Sequence, residues 1–159
     1  MIIVSDTTPL RYLIHIDQIE LLPRFFQEIV VPKSVYDELT TEKAPIKVTT
    51  FMASLPSWMS VLPNADLSDP GLFEIDEGER QAILLAEKLM ADGILIDDLA
   101  GRKAAEMRGI FVIGTLGVLE VAARNGDIDF RTEITKIRKA GFYVTDELEL
   151  FFLKKLGLD

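Results

Sequence analysis

The sequence predicts an α/β fold with a central, mostly parallel sheet of four to five strands, and three observations lead there. Short β-branched runs recur along the chain, their hydrophobicity is continuous rather than alternating, and helical patterns lie between them. A run without alternation is what a strand covered on both faces looks like. The intervening helices supply the cover.

Taken in order, the strands are IIVS (2 to 5), EIVV (28 to 31), GILI (93 to 96) and IFVI (110 to 113), with MSVL (59 to 62) as the fifth candidate. Helical patterns occupy Ile19 to Phe26, Pro32 to Leu39, Asp76 to Met90, Leu99 to Arg108 and Thr115 to Arg124, the last stopped by Asn125-Gly126. Asp17 reads as the N-cap of the first of these, and Pro32 suits the first helical position of the second. Between Thr40 and Gly71 the chain is rich in Pro and Ser and defines little beyond one helix near Ile46 to Ser54. At the C-terminus Asp146 is the expected cap of a helix over about 146–157, with Leu148, Phe151, Phe152 and Leu156 on a broad apolar face. That face either closes the core or meets a partner, and the pattern does not separate the two.

The 159 residues fit one domain spanning 1–159, and 48% hydrophobic residues suffice for a single core. No apolar run approaches the roughly 18 residues of a membrane span, and the start MIIVSDTTP lacks a secretory signal's basic segment, so a cytosolic protein is expected. The absence of cysteine excludes disulfides, thiolate metal sites and cysteine nucleophiles. A net charge of −9 and a pI near 4.7 disfavour polyanion binding by field alone. Any nucleic-acid role must therefore bring its own cation.

Parallel α/β sheets carry their sites at the carboxyl ends of strands. The first strand ends in Ser5-Asp6-Thr7-Thr8 and the GILI strand in Asp97-Asp98, which places three carboxylates at one edge. Helical periodicity adds two more. The stripe Ile75, Ala82, Ala86, Leu89 takes in Glu79, so that side chain is expected to point inward, whereas Asp76 and Glu77 are first-turn acids that complement the helix dipole. Glu38 lies beside Val35 and Leu39 and is also expected to point inward. Inward carboxylates are costly unless a cation or hydrogen bonds compensate. With no histidine or cysteine among them, the donors are all oxygen, which suits magnesium or manganese and disfavours zinc or copper. Such an ion activates water and bears phosphate charge, and it lets an acidic protein hold a polyanion.

The segments SDTTPL (5 to 10), VYDEL (35 to 39), GERQAI (78 to 83), IDDLAGR (96 to 102) and VIGTLGVL (112 to 119) resemble, in order and separation, the motifs of the PIN-domain ribonuclease family, in particular its VapC-like toxins and a related prokaryotic branch. The resemblance implies a three-layer α/β/α fold. It makes Asp6, Glu38, Glu79 and Asp98 the catalytic, metal-binding acids of one site, with Glu79 standing where many relatives carry aspartate. Asp97 becomes an accessory ligand, Thr8 the small hydroxyl near metal or scissile phosphate, and Arg102 a substrate contact. The implied activity is an Mg2+- or Mn2+-dependent RNA endonuclease. Toxin members are held inactive by a small antitoxin and are often homodimers.

Two other readings stay open at this point. A receiver-like phosphoacceptor would share the strand-end acids, but it needs an acidic pair at the first strand and a lysine after the last, and this chain has only Asp6 and no lysine near VIGT. A catalytically silent PIN-like module binding RNA or protein would bind metal without turnover. Among the remaining residues, Lys103, Arg108, Lys136, Arg138 and Lys139 read as solvated faces, and His15 as structural. Trp58, Phe51 and Tyr143 are chemically able to stack on bases, yet their spacing marks no platform.

Overall fold

The computed structural model describes residues 1–65 and 69–159. Five strands form one sheet: β1 (Ile2–Ser5), β2 (Glu28–Pro32), β3 (Met59–Leu62), β4 (Gly93–Leu95) and β5 (Val112–Ile113). Their order is β3-β2-β1-β4-β5, and every neighbouring pair is parallel. The fifth candidate strand is thus real. From β1 the chain builds outward to β2 and β3 on one side and to β4 and β5 on the other, so the order reverses between β1 and β4. That reversal opens a crevice at the carboxyl ends of those two strands.

Nine helices stand among the described residues: α1 (Thr7–His15), α2 (Leu21–Phe25), α3 (Lys33–Leu39), α4 (Ile46–Met52), α5 (Glu77–Leu89), α6 (Leu99–Met107), α7 (Thr115–Arg124), α8 (Phe130–Lys139) and α9 (Asp146–Lys155). They cover both faces of the sheet because each strand divides its side chains between two cores. Ile3, Ile29, Val31 and Leu95 pack toward a cluster that includes Leu10, Leu13, Val35, Leu119, Phe130 and Ile137. Val4, Val30, Ile94 and Ile96 pack the other way, against Ala82, Ile83, Ala86 and Ala105 of α5 and α6. Continuous hydrophobic runs are the consequence of that double burial.

Several boundaries move from where the sequence places them. Pro32 closes β2 and precedes α3, whose first residue is Lys33. Asp17 caps nothing: its backbone is left-handed (φ 62°) just after α1, and its carboxylate pairs with Lys47 at 2.7 Å. The cap of α9 is Thr145, whose hydroxyl accepts from the Leu148 N–H, rather than Asp146. Two helices, α1 and α8, are absent from the sequence reading. The opening Thr7-Thr8-Pro9 reads as a strand-end loop, yet a first-turn proline forfeits no helical hydrogen bond. In α8 the polar residues outweigh the buried Phe130, Ile134 and Ile137 that mark its inner face.

Candidate active site

The crevice between β1 and β4 collects acids from four separated segments. The Asp6 N–H donates to the Leu95 carbonyl at 2.9 Å, which holds the end of β1 against the end of β4. Asp6 occupies the N-cap position of α1, but its side chain forms no capping hydrogen bond and is left for the crevice. It is 4% exposed. Asp98 caps α6 by accepting from the Gly101 N–H through Oδ2 at 3.1 Å. Glu79 enters from the first turn of α5 and is buried, as its place in the apolar stripe predicts.

Glu38 departs from expectation: its side chain is exposed at the rim. Short α3 buries only Val35 and Leu39, and Glu38 reaches across the crevice mouth, where its Oε2 accepts from the Thr7 hydroxyl at 2.8 Å. Two glycines admit these carboxylates. A methyl group on Gly78 would lie 3.3 Å from Glu38 Oε2 and 3.4 Å from Asp6 Oδ1, and one on Gly101 would lie 3.2 Å from Glu79 Oε2 and 2.6 Å from Ile96 Cδ1. Asp6, Thr7, Thr8, Glu38, Gly78 and Glu79 line a cavity of about 410 Å³.

The electrostatics follow from that crowding. Burial, reinforced by the charges of Glu38, Asp97 and Asp98 and opposed by the Thr7 N–H, pushes the Asp6 carboxyl up to about 7. Burial, then Asp6, Asp98, Asp76 and Glu38, pushes Glu79 up to about 8. Both groups resist ionising without a compensating cation. The donor set is carboxylate throughout and fits a hard divalent ion. Asp6, Glu38 and Glu79 share one cavity and Asp98 acts on both Asp6 and Glu79, while among the described residues no three acids are already arranged as metal ligands.

Asp97 takes a different place from its neighbour. Its Oδ1 accepts from the Thr115 N–H at 2.8 Å and its Oδ2 from the Thr115 hydroxyl at 2.5 Å, so both oxygens secure the start of α7. Burial raises its pKa and the two Thr115 bonds oppose the rise. Arg102 packs over Gly114, where an added methyl would lie 2.5 Å from its Nη1 and 3.2 Å from Asp97 Oδ1. Three of the other basic side chains are committed elsewhere: Arg108 to Asp69 and Glu87, Lys136 to Glu133, and Arg138 to Glu149 and Asp146. Sequence reasoning missed Thr7, Gly78 and Thr115, although the paired hydroxyls in SDTT and the glycine opening GERQAI were visible.

The family model DUF3368, described as a PIN domain, matches residues 2–158. The chain belongs to the PIN-domain family. The five parallel strands and flanking helices are those expected of a PIN domain, a fold whose members are in general nucleases. No curated protein sequence matches the chain. In this PIN domain no helix among the described residues is long and apolar enough to cross a membrane.

Proposed function

We propose that this PIN domain is a metal-dependent endoribonuclease acting in the cytoplasm, the toxin of a toxin–antitoxin pair. One observation carries the reading. Four carboxylates from α1's cap, α3, α5 and α6 gather at the β1/β4 crevice, and two of them are held well above the usual carboxylate range. Asp6, Glu38, Glu79 and Asp98 would hold Mg2+ or Mn2+. When bound, such an ion supplies an activated water and bears the charge of the phosphate under attack.

The protein's own residues prepare that chemistry. The Thr7 hydroxyl orients Glu38, Asp98 is steadied by the first turn of α6, and Gly78 and Gly101 leave room for carboxylates that an added methyl group would crowd. Thr8 borders the same cavity and is placed to meet a phosphate oxygen. Asp97 acts through Thr115 by fixing α7, and is a positioning residue in this reading rather than an accessory ligand. A small antitoxin with a basic tail would suit the acidic cavity, since a guanidinium pairs with carboxylates bidentately. A homodimer is also proposed, on the family likeness.

A silent PIN-like binding module is the second reading, favoured by the exposure of Glu38 and Asp98, which leaves only Asp6 and Glu79 buried among the four acids. Incubating structured and unstructured RNA with the protein and Mg2+ or Mn2+ distinguishes them. Cleavage is expected, with loss of at least about a hundredfold in Asp6→Asn or Asp98→Asn while circular dichroism is unchanged. Undiminished cleavage in both variants, or after chelation, would refute the nuclease reading.

A further inference from the structure

Helix α3 begins without a cap of its own. Pro32 stands at its N-cap position and has no polar side chain to offer, and the Ser34 hydroxyl, although buried, forms no hydrogen bond among the described residues. The first N–H groups of a helix nevertheless need acceptors. One arrives from 30 positions along the chain: Asn64 Oδ1 accepts from the Ser34 N–H at 2.9 Å. Asn64 lies two residues beyond β3, whose last residue, Leu62, is in register with Pro32, so the neighbouring strand end delivers the cap that α3 lacks.

The next residue is gripped from the other side. Gln81 of α5 is 0% exposed, and both ends of its amide pair with the Ala65 backbone: Oε1 accepts from the Ala65 N–H at 2.8 Å and Nε2 donates to the Ala65 carbonyl at 3.3 Å. A buried amide is costly unless both ends are paired, so Gln81 fixes where Ala65 lies. Asn64-Ala65 is thus a strap, with one residue bonded to α3 and the next to α5.

Each of those helices carries an acid close to the point of attachment. Glu38 follows Ser34 by four residues, one turn along the same face of α3, and Glu79 precedes Gln81 by two on α5. Ser34, Glu38, Gly78 and Glu79 line the same acidic cavity. Little else orients α3, which buries only Val35 and Leu39 and leaves Glu38 exposed. We propose that Asn64 and Gln81 are positioning residues: their strap sets the separation of Glu38 from Glu79, and with it the size of ion the acids accept. The ion preference rests on the nuclease reading, whereas the strap does not. Mg2+ demands near-ideal octahedral geometry and Ca2+ accepts a flexible one, so a loosened α3 penalises Mg2+ more.

The chain has no cysteine, so spin labels on Asp37→Cys in α3 and Lys88→Cys in α5 report the spacing of the two helices alone. Double electron-electron resonance is recorded on the metal-free labelled protein, and Mg2+ and Ca2+ affinities by isothermal titration on the unlabelled one, for wild type, Asn64→Ala, Asn64→Asp and Gln81→Met. Asn64 is exposed, so its variants are expected to keep the fold, and circular dichroism checks all of them. The distance distribution should be about 1.5-fold broader in Asn64→Ala and Gln81→Met. Mg2+ binding should be roughly tenfold weaker in both and Ca2+ binding no more than about threefold weaker. Asn64→Asp keeps the accepting oxygen and is expected to restore the narrow distribution and the Mg2+/Ca2+ ratio. A merely structural role would weaken both ions alike. A distribution as narrow as wild type in Asn64→Ala, or an unchanged Mg2+/Ca2+ ratio in a protein that binds both, would overturn the proposal. Broadening that Asn64→Asp reverses, in a protein that binds neither ion, would sustain the strap while the nuclease reading fails.

Discussion

Asp6 sets the energetics at the scale of single residues. Its carboxyl titrates near 7 in the fold and near 3.8 in an unfolded chain, so between those values the folded state binds the extra proton. Stability then falls as pH rises through this window and the full deficit is present above it. Glu79, raised to about 8, extends the same trend to slightly higher pH. The metal-free protein is therefore expected to melt at lower temperature at pH 8 than at pH 5.5, and Asp6→Asn to recover about 1 to 3 kcal/mol at pH 8. Scanning calorimetry in chelator checks this, and an unchanged melting temperature across the window would contradict it. Asp6, Asp98 and Glu79 were legible in the sequence because a strand end or an apolar stripe fixes the direction of each side chain. The exposure of Glu38 was not, since a seven-residue helix fixes too little of its own orientation, and the Thr7 bond that holds it spans 31 positions of sequence.

Individual elements divide by how much of their definition is local. Strands β1 and β4 and helices α5, α6 and α7 could be read because their hydrophobic patterns and stops are self-contained. Helix α1 could not, since Thr-Thr-Pro also opens a loop, and the buried Leu10, Leu13 and Ile14 announce themselves only against a known core. The end of α5 shows a local conflict: Met90 takes a left-handed conformation (φ 49°) at the C-cap while 89% exposed. A side chain there strains the backbone and buries nothing. Met90→Gly is expected to stabilise the protein by about 0.5 to 1 kcal/mol, read from urea midpoints at constant slope. At the start of α7 the opposite holds, because Thr115 is buried and the partly buried Asp97 accepts from it twice. Thr115→Val removes one of those bonds and leaves a partly buried carboxylate short of a donor. A loss of about 1 to 3 kcal/mol is expected in the same measurement.

Over the whole molecule, charge decides how a polyanion is held. Of 17 basic residues against 26 acidic ones, eight are tied into ion pairs among the described residues, including Arg108 across α5 and α6 and Arg138 beneath α9. Among the described residues no basic side chain lines the acidic cavity to neutralise phosphate. RNA binding in Ca2+ should therefore weaken only slowly with added KCl, with a logarithmic slope of about 1, where a basic groove would give several times more. The reversal of strand order between β1 and β4 explains why distant acids meet; the alternation of strands and helices indicates a parallel sheet with its site at the carboxyl ends of strands, but not their order. An apolar cleft of about 800 Å³ beyond Arg102 could not be anticipated either, because its walls come from the end of α2, α6, β5, α7, α9 and the segment before α9, whose packing no local pattern encodes. Helix α9 carries no fully buried residue, and Phe152, Leu153 and Leu156 reach the core while Leu148 and Phe151 face the cleft. Its broad apolar face thus closes the core along one side and lines the cleft along the other.

The central claim is that Asp6, Glu38, Glu79 and Asp98 act together on one hard cation. Isothermal titration of Mn2+ into the chelator-treated protein tests it most directly, with wild type, Asp6→Asn and Asp98→Asn compared at pH 7.5. Saturable binding at a stoichiometry of about 1 to 2, weakened at least tenfold in each variant, is the predicted result. Equal Mn2+ affinity in all three proteins would contradict it.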